Sequence, residues 1–370
     1  MPAGGMDRLL GGRRVLVTGH TGFKGSWLAL HLLRLGARVS GIVLEPPPEG
    51  AFVAMGLEDE VTGRRADVRD AEAVHRAVGA VQPEVVFHLA AQPVVAGGYV
   101  APADTFATNV QGTLHVLDAC RAIGGVRTVV VATSDKVYGP GVDRPFVESD
   151  PLGGDDPYSN SKAATELAVG AWRTANRSGP PVATVRAGNV LGGGDRGAGR
   201  LLPAVLDALA DDRPVELRCP DGVRPWQHVL DAVDGYLRIA TGLLAAPEAM
   251  PPSVNIGPSA ADHWRVRDVV EHALDSWGAG GWVHRRSRLP ETGRLELDST
   301  LAERVLGWRP RLTVGEAVEW TVDWHRAWIS GGDVRRLAEA QLDRHRRRGI
   351  AATAPGAEPV HVPEEPRAAT

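Results

Sequence analysis

Two short stretches carry residues that could move protons. In "ATSDKVYGP" (132–140) a hydroxyl, an acid and an amine stand in successive positions, Ser134, Asp135 and Lys136, directly after the apolar run Val129–Ala132. In "DDPYSNSKAATEL" (155–167) Tyr158 and Lys162 are four apart near a helix start, which puts both side chains on one face. A lysine ammonium beside a phenol favours the phenolate and pulls its pKa down from about 10. A tyrosine tuned that way can take a proton from a hydroxyl while a hydride leaves the same carbon. For Asp135 and Lys136 plain turn chemistry is the competing reading.

A third stretch, "VTGHTGFKGSW", spaces Gly19, Gly22 and Gly25 as G-x-x-G-x-x-G between a buried strand and an apolar helix, and Glu45 closes the next strand. An acid roughly twenty residues beyond such a turn completes a dinucleotide fingerprint. Gly19 permits the tight turn, Gly22 lets the backbone approach a pyrophosphate, and Gly25 lets the helix pack on the strand. The helix N-terminus offers N–H donors and partial positive charge. Glu45 would accept from a ribose 2′-hydroxyl and repel a 2′-phosphate, favouring NAD over NADP, although Lys24 and Arg38 work against that choice. Asp67 follows a third strand and either contacts the adenine or caps the next helix.

The elements that must position these groups alternate. Strands are expected at 13–19, 37–45, 83–91, 126–134 and 180–190, and helices at 26–36, 71–81, 103–125 and from 158 on. That order implies an α/β fold, a Rossmann-type doubly wound parallel sheet covered on both faces, with right-handed crossovers. From about residue 189 the Gly-rich "GNVLGGGDRGAGR" and shorter mixed elements point to a smaller C-terminal α/β substrate domain. We place the dinucleotide domain at 12–188, with returns to its sheet near 226–257. The substrate domain is placed mainly at 189–330. A basic helical extension starts near Gly331, its "RHRRR" reads as a solvated helix end, and the Ala-, Pro- and Glu-rich tail is expected to be disordered.

The 370 residues are 43% hydrophobic and 23% charged, with a net charge of -4. That balance gives no reason to expect nucleic acid or an anionic membrane as partner. Cys120 and Cys219 lie far apart in no metal-like spacing and read as reduced thiols; no metal is expected. With no signal-peptide pattern and no long apolar run, the chain reads as cytoplasmic.

From Gly12 to about Trp328 the chain resembles an extended short-chain dehydrogenase/reductase, on "TGHTGFKG", "FHLAAQPVV", "TNVQGT", "TSDKVYG", "YSNSK" and "RAGNVLGGGD". Within that family "TGHTGFKGSWL", "TSDK", "DPYSNSK", "RPWQHVLD" and "LDSTLAERVLGWRPR" are most similar to the CDP-glucose 4,6-dehydratases. The resemblance implies NAD held by Gly19, Thr21, Gly22, Phe23, Gly25, Glu45, Asp67, Val68, Leu89, Ala90, Ala91, Asn109, Tyr158 and Lys162, with Asn109 mainly structural. It implies a nucleotide-diphosphate hexose held by Gln92, Asn189, Arg200 and Arg224. It further implies that Tyr158, aided by Ser134 and Lys162, oxidises C4 of the sugar. Asp135 would protonate the leaving 6-hydroxyl. Lys136 stands where related dehydratases carry a glutamate base, and serves as a neutral base or as a cation stabilising an enolate. A homodimer through helices 103–123 and 158–176 is implied as well. Trp226 is either core or a stacking platform, and His228 a satisfied structural histidine.

Three departures from that pattern stand out. Ala96 and Gly98 replace an arginine and a serine, the 140–155 loop is short, and "RGAG" follows "GGGD". A 4-epimerase or other oxidise-and-return enzyme, and a non-catalytic NAD- or nucleotide-sensing protein, are the competing readings. Intact Ser134, Tyr158 and Lys162 argue against the last.

Overall fold

The computed structural model describes residues 5–45, 49–140, 142–197, 199–285 and 293–351, the side chains of 350 and 351 excepted. Its centre is a seven-stranded sheet, formed by β1 (Arg14–Thr18), β2 (Arg38–Val43), β3 (Thr62–Arg65), β4 (Val85–His88), β5 (Thr128–Ala132), β6 (Val182–Ala187) and β7 (Ser253–Ile256). The strand order is β7-β6-β5-β4-β1-β2-β3 and every pairing is parallel. β4 and β5 are buried along their whole length, as near-continuous apolar strands with helices on both faces must be.

Alternation along each strand sorts the core into two layers. Val15, Val17, Val85, Phe87 and Val130 pack against the Phe23–Arg34 and Val229–Ala245 helices. Leu16, Val86, Val129 and Val131 face the Ala71–Val81, Gly112–Ile123 and Pro157–Ala175 helices. At roughly 25 cal/mol per Å² of apolar surface, this two-sided burial dominates the stabilisation. A separate core forms from Leu202, Val205, Leu206, Val215, Leu217, Trp226, Val269, Val318 and Val322. Trp226 is 3% exposed there and donates its ring N–H to the Trp264 carbonyl at 3.1 Å, so of its two readings the core one holds.

Two segments differ from the sequence expectation. The single helix expected over 103–125 is interrupted: Pro102–Phe106 and Gly112–Ile123 are α-helical, while Ala107–Gln111 widens into a π-turn. The cause is tertiary, because the Asn109 carbonyl accepts from the Thr113 and Thr165 hydroxyls at 2.6 and 2.9 Å. "RHRRR" is not a solvated helix end. It belongs to the Val334–Ala351 helix, whose His345 is fully buried on Asp231 at 2.7 Å, with Arg346 on Asp7 and Arg348 on Glu316. The tail expected to be disordered lies outside the described residues. No described helix is long and apolar enough to cross a membrane.

Candidate active site

The candidate site lies at the carboxyl ends of β1, β4 and β5, where ligands bind in open parallel sheets. At the end of β1, Gly19 has φ of +72°, and a Cβ there would stand 2.9 Å from the Ala90 nitrogen. A Cβ at Gly25 would stand 2.2 Å from the Gly19 carbonyl oxygen, and one at Gly22 3.3 Å from it. Glycine at these positions therefore brings the helix start, the turn and the β4 end together. Gly22 is the N-cap of the Phe23–Arg34 helix, and no side chain caps it, so its first N–H groups are free for an anion.

Beside the turn is a cavity of about 310 Å³, lined by Gly19, Gly22, Phe23, Lys24, Gly25, Glu45, Asp67, Val68, Leu89, Ala90, Ala91 and Arg200 among others. Thr21 is buried within the turn. Glu45 pairs with Arg65 at 2.6 Å, but both side chains are about 70% exposed, so the pair is weak and Glu45 is open to a ribose hydroxyl. Asp67 accepts from the Arg69 backbone N–H at 2.9 Å, and its hydrogen bond with the Arg69 side chain lowers its pKa. It does not cap the next helix; Asp70 does, accepting from the Ala73 N–H. A cradle of free amides and absent side chains fits a dinucleotide pyrophosphate, and the open carboxylate fits its ribose.

Asn109, expected among the cofactor contacts, is 1% exposed and its amide is spent internally. It accepts from the Gln92 N–H at 2.8 Å and donates to the Ser161 hydroxyl at 2.8 Å. Gln92, expected to touch substrate, likewise uses its amide within its own loop, donating to Val94 O at 3.0 Å and to Thr105 at 3.1 Å. Both fix the loop after β4, and we take neither as a ligand contact.

The five proton-moving candidates converge at the β5 end. Ser134 donates to Asp135 Oδ1 at 2.8 Å and accepts from the Lys136 N–H at 3.2 Å. Asp135 is 3% exposed, and its Oδ2 has no hydrogen-bond partner among the described residues. Burial pushes its pKa up, against the pull of Lys136, Ser134, Arg224 and Lys24. A carboxyl held so is an acid in waiting. Lys136 is half-buried and lines a second cavity of about 230 Å³ with Tyr138, Asp156 and Ser159.

Tyr158 and Lys162 are both buried on the Pro157–Ala175 helix, which Asp156 caps by accepting from the Ser159 N–H at 3.0 Å. Their electrostatics correct the sequence reading. Burial raises Tyr158 to about 12; Ser134 and Arg200 pull it down, while Asp135 and Asp156 push it further up. Lys162 donates to Ala132 O at 3.2 Å, and burial, reinforced by Lys24 and opposed by Glu166, lowers it to about 7. The lysine thus meets neutral pH with its charge in balance, and in the protein alone it is Ser134 and Arg200 that favour the phenolate.

The expected substrate grips come from three elements. Arg200 faces the cofactor-side cavity and pairs with Asp195 at 2.8 Å. Arg224 is 8% exposed and close enough to Asp135 to lower its pKa. Asn189 is half-buried on the short strand Asn189–Leu191, paired with Trp226–His228. His228 is fully buried, pushed down to about 3 by burial, and accepts from the Leu230 N–H at 3.2 Å. Gly98, one of the departures, lets its helix pack on the tyrosine: a Cβ there would stand 3.0 Å from the Tyr158 nitrogen. Sequence reasoning missed Lys24 as a cation near both Asp135 and Lys162, and Glu166 beyond Lys162. The sequence does carry a signal for Glu166, an acid four residues past the lysine on the same helix face.

Residues 15–257 match the NAD dependent epimerase/dehydratase family. The chain is 40% identical to the CDP-glucose 4,6-dehydratase of Salmonella typhimurium, over 90% of this chain and 95% of that protein. It is 28% identical to the UDP-glucose 4-epimerase of Erwinia amylovora, over 84% and 97%. Its fold is similar to the crystal structure of a dTDP-glucose 4,6-dehydratase from Streptomyces venezuelae with NAD bound, with a TM-score of 0.75, 27% identity and coverage of 86% and 98%.

Proposed function

The chain belongs to the NAD dependent epimerase/dehydratase family, and from that premise we propose that it is a nucleotide-sugar 4,6-dehydratase converting CDP-glucose to CDP-4-keto-6-deoxyglucose. One observation carries the choice of dehydratase: a buried carboxyl, Asp135, hydrogen-bonded to Ser134 on one oxygen and unpartnered on the other. Oxidising and re-reducing C4 does not need such an acid; expelling a hydroxyl does. The 40% identity to the Salmonella enzyme supports the base and the hexose.

When bound, NAD supplies a reversible acceptor for one hydride, taken from C4 and returned to C6. The chain's residues move the protons. Tyr158, acting as the phenolate that Ser134 and Arg200 favour, takes the 4-hydroxyl proton. The resulting ketone acidifies C5–H, and Lys136 serves there, a base when neutral and a counter-charge to the enolate when protonated. Asp135 gives its proton to the departing 6-hydroxyl, which leaves as water. A proton then returns to C5, and with the hydride given back to the sugar no net redox would occur. Asn189, Arg200 and Arg224 hold the nucleotide diphosphate, arginine forks suiting phosphate oxygens.

The working form is a homodimer in the cytoplasm. Supporting this, the surface of the helices spanning 95–106 and 157–175 exposes Val100 (86%), Leu167 (64%), Tyr99 and Phe106. These exposed apolar side chains lie on helices that pack on one another, the kind of surface a second copy could cover. The test is incubation with CDP-, UDP-, dTDP- and GDP-glucose, read by the alkaline ultraviolet absorbance of a 4-keto sugar. The reading predicts product from the CDP sugar without net cofactor reduction. A C4 epimer, or no product from any of the four, overturns it.

A further inference from the structure

Beneath the site lies a charged network that the proposed chemistry does not use. Glu166 and Arg186 form an ion pair at 2.8 Å with side chains only 4% and 5% exposed. Glu166 also accepts from the Thr133 hydroxyl at 2.5 Å and the Thr184 hydroxyl at 2.7 Å. Arg186 donates to the Tyr138 hydroxyl at 2.9 Å and to the Glu148 carbonyl at 3.0 Å. The Tyr138 hydroxyl in turn donates to Asn255 Oδ1 at 2.6 Å, and its ring stacks on Phe146 with centroids 4.7 Å apart.

The connectivity has a pattern. Thr133 immediately precedes Ser134, and Tyr138 ends the turn that begins there. Tyr158, Lys162 and Glu166 follow at intervals of four along one helix, so they share a face. The same buried pair therefore grips both ends of the Ser134–Lys136 turn and the helix that carries Tyr158 and Lys162. Buried ion pairs add little net stability compared with apolar packing, and what they return is fixed geometry.

Resting on the dehydratase reading, we propose that the Glu166–Arg186 pair is a positioning element that sets the Ser134–Lys136 turn against the Tyr158/Lys162 helix. Thr133 is its tie to the oxidising end of the turn and Tyr138 its tie to the eliminating end. The two ties divide the reaction. Loosening Tyr138 displaces Asp135 and Lys136 more than Ser134. Loosening Thr133 displaces Ser134 first.

Tyr138→Phe and Thr133→Val test this, since each deletes one hydroxyl tie and spares the ion pair. Three readouts are compared with the unmodified chain: melting temperature, amide hydrogen exchange across 133–138, and single-turnover kinetics followed by the near-ultraviolet absorbance of reduced nicotinamide. Both variants are expected to melt near the parent and to exchange faster across the turn. In Tyr138→Phe kcat falls about ten- to a hundredfold with KM within about twofold, the scale of a misplaced catalytic group, and reduced cofactor accumulates before product. In Thr133→Val the appearance of reduced cofactor is itself slowed. Unchanged exchange across the turn, or activity lost only in step with melting temperature, overturns the proposal. Failure of the unmodified chain to dehydrate CDP-glucose overturns the functional reading instead, and the exchange measurement still decides the positioning.

Discussion

Lys162 is enclosed by protein, touches the Ala132 carbonyl, and is lowered by burial from 10.5 to about 7. Between those two values the unfolded chain binds a proton that the folded chain does not, so stability rises with pH across that window. Lys162→Met should flatten the rise, seen as urea midpoints that change less between pH 7 and 10 than in the parent. Asp135 is shifted by burial in the other direction for its charge, toward the neutral acid. Asp135→Asn keeps the shape and removes the proton donor. It should cut dehydration by about 10²- to 10⁴-fold, the usual range for a general acid, while the burst of reduced nicotinamide persists. Loss of that burst together with the dehydration would show that the carboxyl is needed for oxidation as well.

At the scale of elements, the Val334–Ala351 helix closes one flank of the sheet. Its Val334, Ala338 and Leu342 join the main core, and Arg344 lies over the Trp320 ring at 4.6 Å. Leu342 is fully buried, so Leu342→Ala should cost about 2–5 kcal/mol, measurable by urea unfolding. This helix also shows where sequence reading stops. The glycine turn, the Tyr158–Lys162 spacing and the apolar strands are local patterns, and each was readable from neighbouring residues. The docking of "RHRRR" depends on Asp231, Glu316 and Asp7, far away in the chain, and a basic run carries no mark of its partners. The π-turn at Asn109 is equally non-local, set by a threonine on another helix. Asn109 and Gln92 were found as residues of the site by resemblance, but their role in holding the loop needed the hydrogen bonds to be seen.

Across the whole molecule, among the described residues, burial lowers the interior histidines His20, His31, His88, His228 and His325. It takes His31, His88 and His228 from 6.5 to about 3 each. Between those values the unfolded chain takes up protons the folded chain refuses, so stability is lost as pH falls below 6.5. Urea midpoints should therefore begin to drop by about pH 6, before carboxylates near their ordinary values titrate. The apolar surface of the Tyr158 helix belongs to the same scale. If two copies pair there, Leu167→Glu should shift the particle from dimer to monomer in light scattering; a parent chain that is already monomeric and fully active would refute the pairing.

On the proposed function, one buried pocket oxidises a hexose, removes water and returns the same hydride. CDP-glucose deuterated at C4, turned over with NAD in ordinary water, tests it most directly. The expected product is a 4-keto-6-deoxy sugar with the deuterium on C6 and a solvent proton at C5. Deuterium back on C4, or left on the cofactor with no 6-deoxy sugar formed, would contradict it.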